Sequence, residues 1–173
     1  ERVGAAVLRE LLERGLRTAQ GLLCVLDGAK GLRKAIHTVF GRQALVQRCQ
    51  WHKRENVLDY LAKGDRALWR RRLQAAYQQP TYDGAKAALL RVRAELKVLN
   101  ESAVQSLDEG FEETLTLHRL DLFRQLGRSL KTTNCLESIN AQVARRIGRV
   151  TAWRTADQKL RWVAAALLAI EPR

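Results

Sequence analysis

Residues 21–49 read GLLCVLDGAKGLRKAIHTVFGRQALVQRC. The run GLLCVL at 21–26 is apolar throughout and bounded by Gly21 and by Asp27-Gly28. That pattern predicts a short strand buried on both faces, as in a parallel sheet. Leu32, Ala35, Ile36, Val39 and Phe40 follow at helical spacing, and Gly41 closes the segment. This predicts an amphipathic helix of two or three turns. A second short strand is predicted at about Ala44–Cys49. Strand, helix and strand over this length make a βαβ unit, whose crossover is right-handed.

On the upstream side, Val3, Val7, Leu8, Leu11 and Leu12 predict a helix over 3–16, ended by Gly15. Downstream the period changes. From His52 to about Arg124 no strand pattern occurs. Helices are predicted over 53–62 and 65–78, the second broken by Pro80. Tyr82, Ala85, Leu89, Val92, Leu96 and Leu99 form a stripe that packs against other helices. Val104, Leu107, Phe111 and Leu115 continue as a further helix, and 127–133 reads as a loop. Leu136, Ile139, Val143 and Ile147 predict one more helix, and 155–170 a last one before Pro172. The expected fold class is therefore α/β but mostly helical. A βαβ part at 1–51 is followed by an all-helical block at 52–127 and by C-terminal helices at 128–173.

An apolar fraction of 46% over 173 residues is enough for a real core. No apolar run reaches the roughly 18 residues that a membrane-spanning helix needs. Charges scattered through the first fourteen residues do not match a signal peptide. Cys24, Cys49 and Cys135 are widely spaced and odd in number, which points to a reducing, cytoplasmic setting rather than a disulfide scaffold. The chain starts at Glu1 and has no Met, so it reads as a piece of a longer protein. Its 31 basic residues exceed its 18 acidic ones, for a net charge of +13. The excess runs along the whole chain. Such a balance in a folded domain suits a polyanion, usually nucleic acid, better than a membrane surface.

Two readings stand for Asp27. It follows a buried strand, where parallel sheets collect catalytic groups, and it also suits a helix cap or an Asx turn. Glu137 likewise has two readings. Asn134-Cys135-Leu136-Glu137 has the spacing of a capping box, yet Glu137 sits at the edge of the apolar stripe, where a ligand carboxylate could lie. Cys49 and His52 form a C-x-x-H pair at the end of the second strand. Two ligands fall short of the four of a structural zinc site. The bland alternative is a buried Cys beside a polar His. Trp51, Trp69, Trp153 and Trp162 suit core packing better than base stacking.

Three segments, LLCVLDGAKGLRKAIHTVF, VQRCQWHKRENVL and KTTNCLESINAQVARR, in this order resemble the Mutator-type family of DDE transposases of bacterial insertion sequences. The resemblance implies an RNase H-like core, here partial, interrupted by a helical insertion. It implies catalytic and metal-binding roles for Asp27 and Glu137, with two Mg²⁺ (or Mn²⁺) ions in the complete protein. Cys49, His52, Asn134 and Asn140 match family signature positions without an assigned role. The family's first aspartate has no counterpart in this chain and is expected upstream, so residues 1–173 alone are expected not to cleave DNA. The partners implied are the terminal repeats of a transposon and target DNA. A homo-oligomer acting on DNA in the cytoplasm, at the nucleoid, is also implied. Lys131, Arg145, Arg146 and Arg149 are the best candidates for contacting phosphates.

The competing readings are a non-catalytic basic nucleic-acid-binding module, an inactive transposase fragment and another RNase H-like nuclease. All but a fragment that fails to fold predict DNA binding with little sequence preference and a steep salt dependence. Each neutralised phosphate contributes a log–log slope of about −0.9. Titrations between about 50 and 200 mM salt should show the affinity falling steeply, and a flat response would rule the polyanion reading out.

Overall fold

A computed structural model describes residues 2–150 and 152–171. Glu1 and Pro172, both used above, lie outside the described residues. The chain divides into two compact units, one ending at Thr132 and the other beginning at Thr133.

The first unit opens with helix α1 (Arg2–Glu13), strand β1 (Leu22–Leu26), helix α2 (Lys30–Phe40) and strand β2 (Ala44–Arg48). The strands are parallel, with Leu22 opposite Ala44 and Leu26 opposite Arg48. The βαβ unit expected from residues 21–49 is present, and it is the whole sheet among the described residues. Gly41 ends α2 at φ 55°, its amide bonded to the carbonyl of His37. Leu26, Ile36, Phe40, Ala44 and Val46 form a small core under α1.

Hydrogen bonds from side chains cover the outer side of β2. Thr116 donates to the carbonyl of Val46 at 2.6 Å. The fully buried Gln47 donates to the carbonyl of Thr114 at 2.9 Å and accepts from the amide of Leu117 at 2.9 Å. Residues 112–119 thus shield β2 without forming a strand.

Helices α3 (Gln50–Leu58), α4 (Arg66–Tyr77), α5 (Tyr82–Leu99), α6 (Glu101–Asp108), α7 (Thr116–Arg119) and α8 (Phe123–Leu130) make the helical block. Val57, Leu73, Leu89, Leu96, Leu107 and Leu115 are its buried centre. Thr81 and Asn100 cap α5 and α6 by accepting from the amides of Gly84 and Ala103. Trp69 is buried here, as expected, whereas Trp51 is 41% exposed and Trp162 46%. Two expectations fail. The helix read through Val104–Leu115 breaks after Asp108, because Gly110 turns the chain at φ 70°. The loop read at 127–133 is helical to Leu130, because Gly127 leaves room for the Phe123 ring, which a Cβ would meet at 3.0 Å.

The second unit is a pair of helices, α9 (Asn134–Ile147) and α10 (Ala156–Leu168). Thr155 caps α10 by accepting from the amide of Gln158 at 3.0 Å. No helix among the described residues is long and apolar enough to cross a membrane.

Lys53 is fully buried at the junction of the first unit's two cores, and its ammonium donates to the carbonyl of Ser106 at 2.5 Å. Burial, helped by the Arg48 guanidinium, pushes its pKa down to about 8, against the pull of Glu109 and Glu113. Between pH ~8 and ~10.4 the unfolded chain therefore holds more protons at this site than the folded one, and stability rises with pH. Tyr77, pushed up to about 12 by burial, acts in the opposite sense above pH ~10. The difference between wild type and Lys53→Met isolates the lysine. In urea unfolding it should shift by about 2 kcal/mol in favour of wild type between pH 7.5 and 9.5. A difference that stays flat with pH would show an unperturbed lysine.

Candidate functional site

The carboxyl end of the sheet gathers the chain's most distinctive residues. Just beyond the ladder the amide of Cys49 donates to the carbonyl of Leu26 at 2.6 Å. This bond places Cys49 beside the residue that precedes Asp27. Asp27 is exposed, and its Oδ1 accepts from the amide of Ala29 at 3.0 Å. The turn is completed by Gly28 at φ 119°. The Asx-turn reading of Asp27 therefore holds, and it orients the carboxylate without burying it.

Cys49 is fully buried and begins α3. Its Sγ lies 3.2 Å from Nδ1 of His52, so the C-x-x-H pair is a physical contact across the first turn. Trp51 meets the His52 ring edge-on at 4.8 Å. Among the described residues no three His, Cys, Asp or Glu side chains cluster to hold a metal ion.

Lys131 enters this end of the first unit through its backbone, its carbonyl accepting from the amide of Gln50 at 2.9 Å. Its ammonium lies 5.7 Å over the Phe123 ring, and the groove there is also lined by Arg124 and Arg128. Phe123 stacks on His118 at 3.7 Å. Burial lowers the His118 pKa, which suits a neutral ring inside the helical block.

The other candidates belong to the second unit. Asn134, Glu137 and Asn140 are exposed on α9 and step by three residues, so they share one side of the helix. Arg145 follows Glu137 on that side, about 12 Å further along the axis. Arg146 donates to the carbonyl of Gln142 at 3.4 Å, and Arg149 lies just past the helix end. The capping box expected of Asn134 and Glu137 is not what forms. Thr133 is the cap residue, and its hydroxyl donates to Oε1 of Glu137 at 2.8 Å. The helix starts one residue earlier than the box requires, which makes Asn134 its first residue.

Sequence reading missed a second set of groups. Arg48 is 5% exposed at the end of β2. Glu109 lies 3.2 Å from the ammonium of Lys30, 3.6 Å from Arg48 and 3.8 Å from Lys53. Burial raises the Glu109 pKa, and the three cations outweigh it, leaving it lowered. Glu113 pairs with Arg33 at 2.5 Å. Scattered Lys and Arg in a basic chain look like a solvated surface. The one local signal for Arg48 was its place inside an otherwise buried strand.

The description "Transposase, Mutator family" matches residues 1–171. The chain belongs to this family. It is 36% identical over 95% of its length to the transposase for insertion sequence element ISRM5 of Rhizobium meliloti. It is 32% identical over 83% of its length to the transposase for element IST2 of Acidithiobacillus ferrooxidans. These matches cover 39% and 47% of the two relatives, so this Mutator-family chain spans less than half of either.

The Asx turn needs only an oxygen acceptor at position 27, which Asn also supplies. Asp27→Asn is therefore expected to leave folding stability within about 0.5 kcal/mol. Asp27→Ala should lose the turn bond, at about 1 kcal/mol. Urea unfolding of both variants checks this, and equal losses in the two would mean that the carboxylate charge itself is structural.

Proposed function

We propose that the complete protein is a DDE-type transposase that cleaves and joins DNA at the ends of an insertion sequence, using Asp27 and Glu137 as two of its carboxylates. The observation that carries this reading is the carboxyl end of the β1–β2 pair. There an oriented, exposed aspartate lies next to the C-x-x-H pair of a second motif. The third motif begins at Lys131, whose carbonyl is bonded at the same sheet end, and Glu137 follows six residues later in the chain. The Asx turn alone needs only an oxygen acceptor at position 27, so the charge of the carboxylate is what the catalytic reading adds.

In this reading the sheet is part of an RNase H-like core. β1 has one side unpaired by any described strand, and a further strand carrying the remaining aspartate fits there. The donor chemistry suits Mg²⁺ or Mn²⁺, since both side chains offer hard oxygen. Such ions, when bound as a pair, activate the attacking oxygen and stabilise the leaving one. Asp27 holds its carboxylate at a fixed place through the Ala29 amide. The Thr133 hydroxyl does the same for Glu137. Lys131, Arg145, Arg146 and Arg149 serve the DNA backbone, and the active form is an oligomer on paired ends.

The full-length protein tests this on DNA carrying its own element's ends. Asp27→Asn and Glu137→Gln should each lower cleavage by ~10³-fold or more, the scale of several kcal/mol of lost transition-state stabilisation. DNA affinity should change by less than about threefold. Near-normal cleavage by either variant would remove that residue from the proposed triad.

A further inference from the structure

Behind Asp27 lies a cavity of about 420 Å³ bounded by Gly28, the start of α2 and the turn at Gly110. Its floor is the Arg48 guanidinium. That group is 5% exposed, and its Nε–H is buried with no hydrogen-bond partner among the described residues. The nearest ion-pair contact, to Glu109, is 3.6 Å, too long for a good hydrogen bond. A buried cation so weakly partnered is costly.

The surrounding backbone is shaped to this cation. A Cβ on Gly28 would stand 2.5 Å from an Arg48 nitrogen, and one on Gly110 would stand 3.1 Å from another. Both glycines have positive φ, 119° and 70°. The start of α2 has no side-chain cap, so its first amides are oriented donors with the positive end of the helix dipole behind them. Lys30 and Arg33 stand at the mouth. Glu109 and Glu113 provide two carboxylates, against the four cations Lys30, Arg33, Arg48 and Lys53. Glu109 is spread among three of these, with no contact shorter than 3.2 Å.

We propose that this pocket binds a DNA phosphodiester, held by the Arg48 guanidinium, next to the strand end that carries Asp27. The preference for a tetrahedral oxyanion stands on the pocket alone. That its source is DNA rests on the function proposed above. A phosphate seated here is adjacent in the fold to Gly28, and so fixes the substrate strand next to Asp27. Arg48 is then a positioning residue, and Glu109 is the internal anion that the phosphate displaces.

The test follows the Arg48 Nε–H signal by NMR in the folded chain, titrated with inorganic phosphate and, separately, with a short random-sequence DNA duplex. Both are expected to shift it. Glu109→Gln, at an exposed position, should tighten phosphate and DNA binding, and Arg48→Lys should weaken both, each by about tenfold, as for one charge-assisted hydrogen bond. Arg33→Gln at the mouth should weaken both severalfold, and serves if Arg48→Lys fails to fold. A signal that moves with phosphate but not with DNA overturns the proposal in favour of a free oxyanion ligand. A signal that moves with neither, or a Glu109→Gln variant with unchanged affinities, makes Arg48 a structural cation only. None of these results depends on cleavage. Loss of the DNA arm with Asp27-dependent cleavage intact would sink the pocket alone, and the reverse would sink the proposed function alone.

Discussion

The hydrogen bond from the Cys49 amide to the Leu26 carbonyl closes the parallel ladder, and the arrangement at the sheet end depends on it. Parallel strands meet only through a crossover, so the pairing requires α2 to pack back onto the sheet. Once β1 and β2 stop together, the residues after each strand are forced out at one end. Asp27 turns away on Gly28, while Cys49 enters α3 with its thiol against His52. Moving β2 by one residue would exchange its buried and outward faces. Gln47 would then lose the contacts with Thr114 and Leu117 that shield the outer edge. Register, edge protection and the placing of Asp27 are one constraint.

The same sheet end explains why so small a sheet persists. Two strands alone are marginal in water. Here the outer side of β2 is held by Gln47, Gln50 and Thr116, whose side-chain bonds reach 64 to 70 residues along the chain. Removing one partner would leave a buried polar group unsatisfied, which costs more than the bond itself contributes. The helical block is thus tied to the βαβ unit by specific polar bonds between two separate apolar cores.

The elements legible in the sequence were those that repeat a period. The stripe Tyr82–Leu99 marked α5, and the GLLCVL run marked β1. The strand is not buried on both faces as expected: Leu22 to Val25 are only partly buried, and Leu26 alone is fully covered. What was not legible came from single residues answering to distant neighbours. Gly110 breaks a helix that Val104, Leu107 and Phe111 would otherwise continue. Gly127 permits helix where a glycine in a polar stretch suggested loop, because Phe123 fills the space a Cβ would occupy. At the candidate site, Asp27, Cys49 and His52 were visible by position and spacing. Arg48 and Lys53 were not, since composition cannot tell a buried cation from a solvated one. The capping box failed by one residue: the helix starts at Asn134, and Thr133 at the cap donates its hydroxyl to Glu137 instead of accepting from a helix amide.

The distribution of partnered charge narrows where a polyanion can sit. In the helical block the acids are spent locally: Glu55 binds Arg54 and Arg70, Asp108 binds Arg93, Glu95 binds Arg72, and Glu112 binds Lys86. Such pairs contribute little to stability at the surface, but they cancel the field that would attract phosphate. Arg124, Arg128 and Lys131, by contrast, line one groove of the first unit and form no ion pair with a described acid. Arg145 and Arg149 on the second unit have none either. A net charge of +13 is therefore an uneven surface in which the helical block is largely self-neutralised. Part of the unspent charge lies along the stretch 124–149 of the chain and part around the Arg48 pocket next to Gly28. Long-range attraction of DNA is set by charge that no neighbouring acid cancels, so the groove of Arg124, Arg128 and Lys131 on the first unit counts for more than the paired cations of the helical block.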